Sequence, residues 1–283
     1  MENKMTLTYL DLLEESLPES THPAYSFWKN YALNAIDRGE EIVEAINKHA
    51  SIKDKKVLDV GCGEGGTSIA FAKAGAKVIA IDIDEQRVKR TRIRAQEYSL
   101  KIEALVGDIN KTDFPDNSFD AIICQDVIEH VLDPEKAVGE LGKLLKKGGY
   151  LFLTAPNRLS LINFLRDPHY NLFGISLFPK RLAQFYAVKV RKRTASYGVG
   201  VLPTLNWLKE TFNKKGISLQ IDPSSGVKIR NFFQIQNSRK KRGFKIFFRK
   251  KLICFADAVM KKDWYQFFIA PNWKLIGVKN KNV

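Results

Sequence analysis

Cysteine is scarce in this chain: three in 283 residues, at Cys62, Cys124 and Cys254, with no Cys-x-x-Cys pair. That spacing excludes a disulfide framework. It reads as small apolar filler in a reducing, cytoplasmic setting. No apolar run reaches the ~18 residues that would cross a bilayer. The first residues, Met1-Glu2-Asn3-Lys4, lead into a short acidic helix pattern rather than a secretory signal. Internal repeats are absent as well. Acid is nearly missing from the second half: residues 158–283 hold 26 Lys+Arg and 5 Asp+Glu, a charge of +21. Residues 1–157 hold 20 against 26, or −6, within a whole-chain charge of +15. Such a basic half meets something anionic, whether nucleic acid, an anionic membrane surface or a phosphorylated substrate.

What is present is organised around residues 57–67, Val57-Leu58-Asp59-Val60-Gly61-Cys62-Gly63-Glu64-Gly65-Gly66-Thr67. A β-branched apolar run ends in an acid, a glycine-dense turn follows, and helix-forming residues come next. Glycines at a strand-to-helix turn let a ligand lie against bare backbone at the helix N-terminus. The spacing fits Gly-x-Gly-x-Gly (61, 63, 65) and also the dinucleotide fingerprint (61, 63, 66). Asp59 separates the two. A carboxylate there would repel a pyrophosphate and would suit a cationic ligand.

Around this turn, strands and helices alternate. Strands are expected at Lys56–Val60, Lys77–Asp82, Ile102–Val106, Phe119–Cys124 and Tyr150–Ala155, with helices near 65–74, 84–99 and 133–147. Val78-Ile79-Ala80-Ile81 is apolar without alternation, as in parallel strands buried on both faces. Lys146-Lys147-Gly148-Gly149 reads as a helix stop. Before this core, residues 1–50 read as two helices, the second running from about Ala24 to His49. Its Tyr25, Trp28 and Lys29 either cover a ligand at the glycine turn or simply pack. After it, a helix near Leu205–Lys215, a strand near Ile217–Ile221 and a last strand Trp273–Lys279 would complete the sheet around insertions at 158–200 and 228–268.

Asp82 ends the second strand about 20 residues beyond the loop, where an acid can accept both hydroxyls of a ribose. Asp84 is better placed to cap the next helix. Gly107-Asp108-Ile109 follows strand three. Phe114-Pro115-Asp116-Asn117-Ser118-Phe119-Asp120 turns into strand four, which Gln125-Asp126-Val127-Ile128-Glu129-His130-Val131 follows.

Over residues 55–156 this set resembles the class I S-adenosylmethionine (SAM)-dependent methyltransferases. Within them it resembles the methyltransferase type 11, quinone O-methyltransferase-like branch. The resemblance implies a Rossmann-like, seven-stranded, mostly parallel mixed sheet flanked by helices. It would comprise a helical cap (1–50), a SAM-binding core (51–157) and a C-terminal part (158–283) that completes the sheet and carries both insertions. It implies a SAM site of Asp59, Gly61, Cys62, Gly63, Gly65, Asp82, Ile83, Asp108, Ile109 and Gln125, with Asp108 accepting from the adenine amino group. Glu129 and His130 become the catalytic candidates. His130 is the preferred general base, and its alternative is a structural histidine. Some quinone methylases carry Glu-x-x-Glu-His here and bind a divalent metal. The shorter arm of Asp126 departs from that pattern, and no metal ligand is assigned. His169 and Tyr170 either line the acceptor pocket or belong to an exposed turn.

The implied reaction is transfer of a methyl group to oxygen. The expected acceptor is a sugar of a cell-surface glycan or lipid-linked precursor, with an isoprenoid quinone as the alternative. A nucleic-acid methyltransferase would also be basic, but no Asn-Pro-Pro-Tyr-type element or RNA-binding appendage is present. A SAM-binding protein without catalysis is the remaining rival. Two basic clusters occur, at 189–193 and 239–253. Phe244, Phe247, Phe248, Leu252 and Phe255 share one helical face, which suggests a helix lying peripherally on the anionic inner surface of the membrane. An RNA groove and an ordinary core-facing helix are the alternatives.

Overall fold

The apolar runs become strands because both of their faces are covered. Val57, Leu58 and Val60 of β1 (Lys56–Val60) are at most 2% exposed, and β2 (Lys77–Asp82) is buried from Val78 onward. The computed structural model describes residues 8–21, 25–165, 167, 169, 170, 172–192, 194, 198–200, 202–222, 268 and 270–281. The basic aromatic run 239–256 expected to form a surface helix lies outside the described residues. So does nearly all of the expected insertion 228–268.

Strands β3 (Ile102–Val106), β4 (Phe119–Gln125), β5 (Leu145–Pro156), β6 (Ile217–Ile221) and β7 (Asn272–Lys279) join the first two in one mixed sheet of order β3-β2-β1-β4-β5-β7-β6. The β1–β2, β2–β3 and β1–β4 pairs are parallel. The order reverses between β1 and β4, and open sheets of this kind bind ligands at the carboxyl ends of strands beside that reversal.

Helices α1 (Tyr9–Ser16), α2 (Tyr25–Leu33) and α3 (Ala35–Asn47) precede the sheet, and α4 (Gly66–Lys73), α5 (Glu85–Glu97) and α6 (Pro134–Leu144) lie within it in sequence. A capping box starts α1: the Thr8 hydroxyl accepts from the Asp11 amide while the Asp11 carboxylate accepts from the Thr8 amide. Asp84 caps α5, accepting from the amides of Gln86 and Arg87. Ile42 and Ile46 of α3 and Phe71 of α4 pack in one cluster with Val57, Ala121, Ile123 and Phe152 of the sheet.

Two boundaries differ from expectation. The long second helix is divided at Asn34, whose ψ of 14° leaves the helical range. Helix α6 ends at Leu144, and Lys146–Gly149 belong to β5 instead of closing the helix. The cause is distant in sequence. The buried Lys279 ammonium of β7 donates to the carbonyls of Gly142 (2.8 Å) and Leu145 (2.7 Å) and to Asn117 Oδ1 (3.0 Å). Carbonyls of the last turn are thereby satisfied without further helix.

The chain forms two compact units. The first comprises Met1–Leu153, Lys209–Gln220 and Ile276–Val283, and the second Thr154–Leu208 and Ile221–Leu275. Within the second, α7 (Leu161–Leu165) and α8 (Lys180–Gln184), which continues as a π-helical turn Phe185–Val190, surround a small core of Leu172, Ile175, Ala183 and Ala187. Helix α9 (Leu205–Asn213) leads into β6.

Candidate functional site

The turn after β1 is built from backbone. The amides of Gly61 and Cys62 both donate to the Ile81 carbonyl, and the Gly65 amide closes on Cys62 O. Gly63 has φ +53°, and a Cβ placed there would meet only Gly61 O, at 3.9 Å. Open space therefore lies against the bare peptide, the condition for a ligand's close approach. Gly65 (φ +70°) faces inward, where a Cβ would come within 2.8 Å of the Thr91 hydroxyl.

Helix α5 holds this loop from behind. Arg90 grips the Glu64 carboxylate with two bonds of 2.8 and 3.0 Å, and Arg94 donates to the Glu64 carbonyl at 2.9 Å. The Thr91 hydroxyl donates to Gly63 O at 3.2 Å. Arg94 also stacks over the Tyr9 ring of α1, whose backbone amide is bound by Glu97. Sequence reasoning missed these residues. No motif drew attention to Arg90 and Arg94, which are 7% and 3% exposed.

Five acids stand at or just beyond the carboxyl ends of β1 to β4. Asp59, 2% exposed, accepts from the Ser68 hydroxyl at 2.6 Å, and burial pushes its carboxyl up to about 6. Asp82 orders the loop directly: one oxygen accepts from the Gly63 amide at 2.9 Å and the other from the Asp84 amide at 3.0 Å. Asp108 accepts from the Asn110 amide, and Ile109 beside it is buried. Ile83 is 75% exposed, an apolar surface beside the loop-ordering acid. Gln125 accepts from the Thr67 hydroxyl at the start of α4. Cys62 is buried with its sulfur 3.6 Å from the Thr91 hydroxyl, and burial raises its thiol. The thiol of Cys124 is raised first by burial and then by the charges of Glu129, Asp126 and Asp59, which gather near the end of β4.

Glu129 and His130 follow β4 in a turn closed by the His130 amide on Val127 O. They are placed oppositely. His130 is exposed, whereas Glu129 is 1% exposed, and among the described residues neither of its carboxyl oxygens has a hydrogen-bond partner. Burial, then the charge of Asp126, pushes its carboxyl up to about 8. Asp126 itself takes φ +53°, a left-handed conformation that redirects the chain after the strand. Of the N-terminal aromatics, Tyr25 donates to Glu14, which also pairs with Lys29. Trp28 lies edge-on to Tyr31. Tyr31 is the one whose hydroxyl is raised by burial and then by the charge of Asp126. His169 and Tyr170 belong to the second unit, where Asp167 binds the Tyr170 amide and the Tyr170 hydroxyl accepts from the Gly198 amide.

This edge, rich in acid and fronted by a bare glycine loop, suits a ligand that is cationic at one end and carries a nucleoside at the other. A methyltransferase-domain family model matches residues 58–153. The ubiquinone biosynthesis O-methyltransferase of Coxiella burnetii is 33% identical over 158 residues, covering 54% of this chain and 67% of that one. Its counterpart from Chromobacterium violaceum is 38% identical over 119 residues, 41% of this chain and half of the relative's length. The chain thus spans about half to two thirds of these relatives. Among solved structures, an S-adenosylmethionine-dependent methyltransferase from Mesorhizobium loti aligns with TM-score 0.54 at 14% identity, over 86% of this chain and 99% of that one. Magnesium protoporphyrin IX methyltransferase from Synechocystis, with bound SAH, aligns at 0.51 and 17% identity, over 90% and 87%. At those identities the likeness is one of fold.

Proposed function

Because the chain belongs to the S-adenosylmethionine-dependent methyltransferases, we propose that it methylates a phenolic hydroxyl, in particular on the aromatic head of an isoprenoid quinone precursor. The cofactor is SAM, which supplies an electrophilic methyl group when bound. Gly63 and its neighbours offer it backbone, Asp59 a negative charge for its amino group, and Asp82 a carboxylate beside the loop for the ribose. Asp108 and Ile83 are assigned to the adenine end.

One observation carries the choice of acceptor: Glu129, buried, with no hydrogen-bond partner for either oxygen among the described residues and its proton affinity raised to about 8. A base serves best when its affinity approaches that of the group it deprotonates. A phenol titrates near ~10, roughly two units above Glu129. An unactivated alcohol such as a sugar hydroxyl lies nearer water's ~16, too far for a carboxylate of this strength. The names of the relatives support the same choice, so the phenol is favoured over the sugar acceptor that the sequence resemblance put first. In this scheme Glu129 takes the phenolic proton and exposed His130, next in the chain, passes it to solvent.

The test is production of S-adenosylhomocysteine with a short-chain prenylated catechol and, in parallel, with a glycan sugar. Turnover confined to the catechol and lost in Glu129→Gln is the expected result. Methylation of the sugar alone would overturn the reading.

A further inference from the structure

The second unit shows an inversion of ordinary helix patterning. Along α8 and the turn that continues it, the inward positions are small: Ala183 and Ala187 are at most 1% exposed. The outward positions are large and apolar, with Leu182 57% and Phe185 58% exposed. A helix that merely covers a core does the reverse. Nor is the feature confined to one helix. Of the twenty large apolar side chains exposed among the described residues, ten lie between Leu159 and Val190, including Leu165 and Phe173. A 32-residue stretch thus exposes as many as all the other described residues together. Apolar exposure concentrated in one stretch of chain in this way points to an interaction surface.

The charge beside it has one sign. Residues 158–193 contain eight Lys+Arg and one acid. That acid, Asp167, is buried and occupied with the Tyr170 amide. Lys180 and Arg181 at the start of α8, and Lys189, Arg191 and Lys192 around the end of the π turn, are all exposed. Large apolar groups flanked by cations, with no exposed acid among the described residues of the stretch, complement a surface that is anionic outside and hydrocarbon just beneath. We propose that the outer face of 159–192 is a membrane-docking surface, and that its partner is an anionic lipid bilayer into which Leu182 and Phe185 insert. The proposal does not depend on the identity of the methyl acceptor, because it concerns a surface read by binding alone.

The full chain, incubated with vesicles of phosphatidylcholine containing phosphatidylglycerol, should float with them at low salt. It should bind pure phosphatidylcholine at least tenfold more weakly. Leu182→Ser with Phe185→Ser leaves the inward alanines untouched and should lower partitioning at least tenfold. Lys189→Glu with Lys192→Glu should abolish the preference for the anionic lipid. A calorimetric SAM titration and a circular-dichroism melt matching the parent chain establish that the variants are folded. Failure of the intact chain to float with anionic vesicles would overturn the proposal, as would parental partitioning by the Leu182/Phe185 variant. Binding of tRNA that is lost with the lysines but indifferent to Leu182 and Phe185, with no flotation, would assign the surface to nucleic acid instead.

Discussion

Glu129 is a carboxyl kept protonated at neutral pH by its surroundings, and that has two measurable consequences. If it is the base, kcat/KM for the acceptor should rise with pH up to about 8 and then level, and Glu129→Gln should lower turnover by ~100-fold or more above pH 8, a deficit that shrinks as falling pH protonates the parent's own base. A profile flat between pH 6 and 9 would remove it from the mechanism. Stability carries the opposite slope. The folded state holds this proton more tightly than the unfolded chain, so the contribution is complete below pH ~4.5 and is lost as pH rises through about 8. At ~1.4 kcal/mol per unit the whole effect is at most about 5 kcal/mol. Denaturant melts of Glu129→Gln should lack that slope. The acid and its neighbour were legible in the sequence as a pair, but their difference in burial was not. Burial separates Glu129 from exposed His130, and burial is a property of the finished turn. Gly63 is the contrary case. A glycine needed for left-handed backbone announces itself locally, so Gly63→Val should abolish SAM binding in calorimetry while leaving the melt cooperative.

At the scale of elements, helix α5 is the support of the glycine loop. Residues 90, 91 and 94 present two guanidinium groups and a hydroxyl to Glu64 and Gly63, and the outer stack of Arg94 on Tyr9 ties in α1. Thr91→Val keeps the shape and removes one bond to the loop, so SAM should bind about 3–10-fold more weakly, with kcat little changed. A parallel fall in kcat would instead place Thr91 at the reaction centre. Strands β1 to β3 were readable to the residue because continuous apolar runs need no partner to be recognised. The role of α5 was hidden, since Arg90 meets Glu64 26 positions earlier in the chain and periodicity registers only that a charge is present. Helix α6 was misjudged for the same reason. Lys146-Lys147-Gly148-Gly149 has the composition of a helix stop, and a lysine 134 residues beyond Leu145 determines that the helix has already ended.

For the molecule as a whole, the sheet order sets β7 between β5 and β6 rather than at an edge. Lys279→Met should cost about 2–4 kcal/mol in a thermal or urea melt, because two buried carbonyls lose their donor. An unchanged midpoint would show that water replaces the ammonium. The position of Lys279 also bears on biosynthesis. A ribosome delivers the glycine loop and all five of its surrounding acids long before it delivers residue 279, yet the strand that fills the gap in the sheet and satisfies α6 is translated after the other six described strands of that sheet. Throughout that interval the nascent polypeptide holds a nearly finished active-site edge on an open sheet, with unpaired strand borders exposed to pairing with neighbouring chains. Folding of the first unit therefore waits on β7 for its last step, and chaperone occupancy on stalled nascent chains should persist until β7 has cleared the exit tunnel.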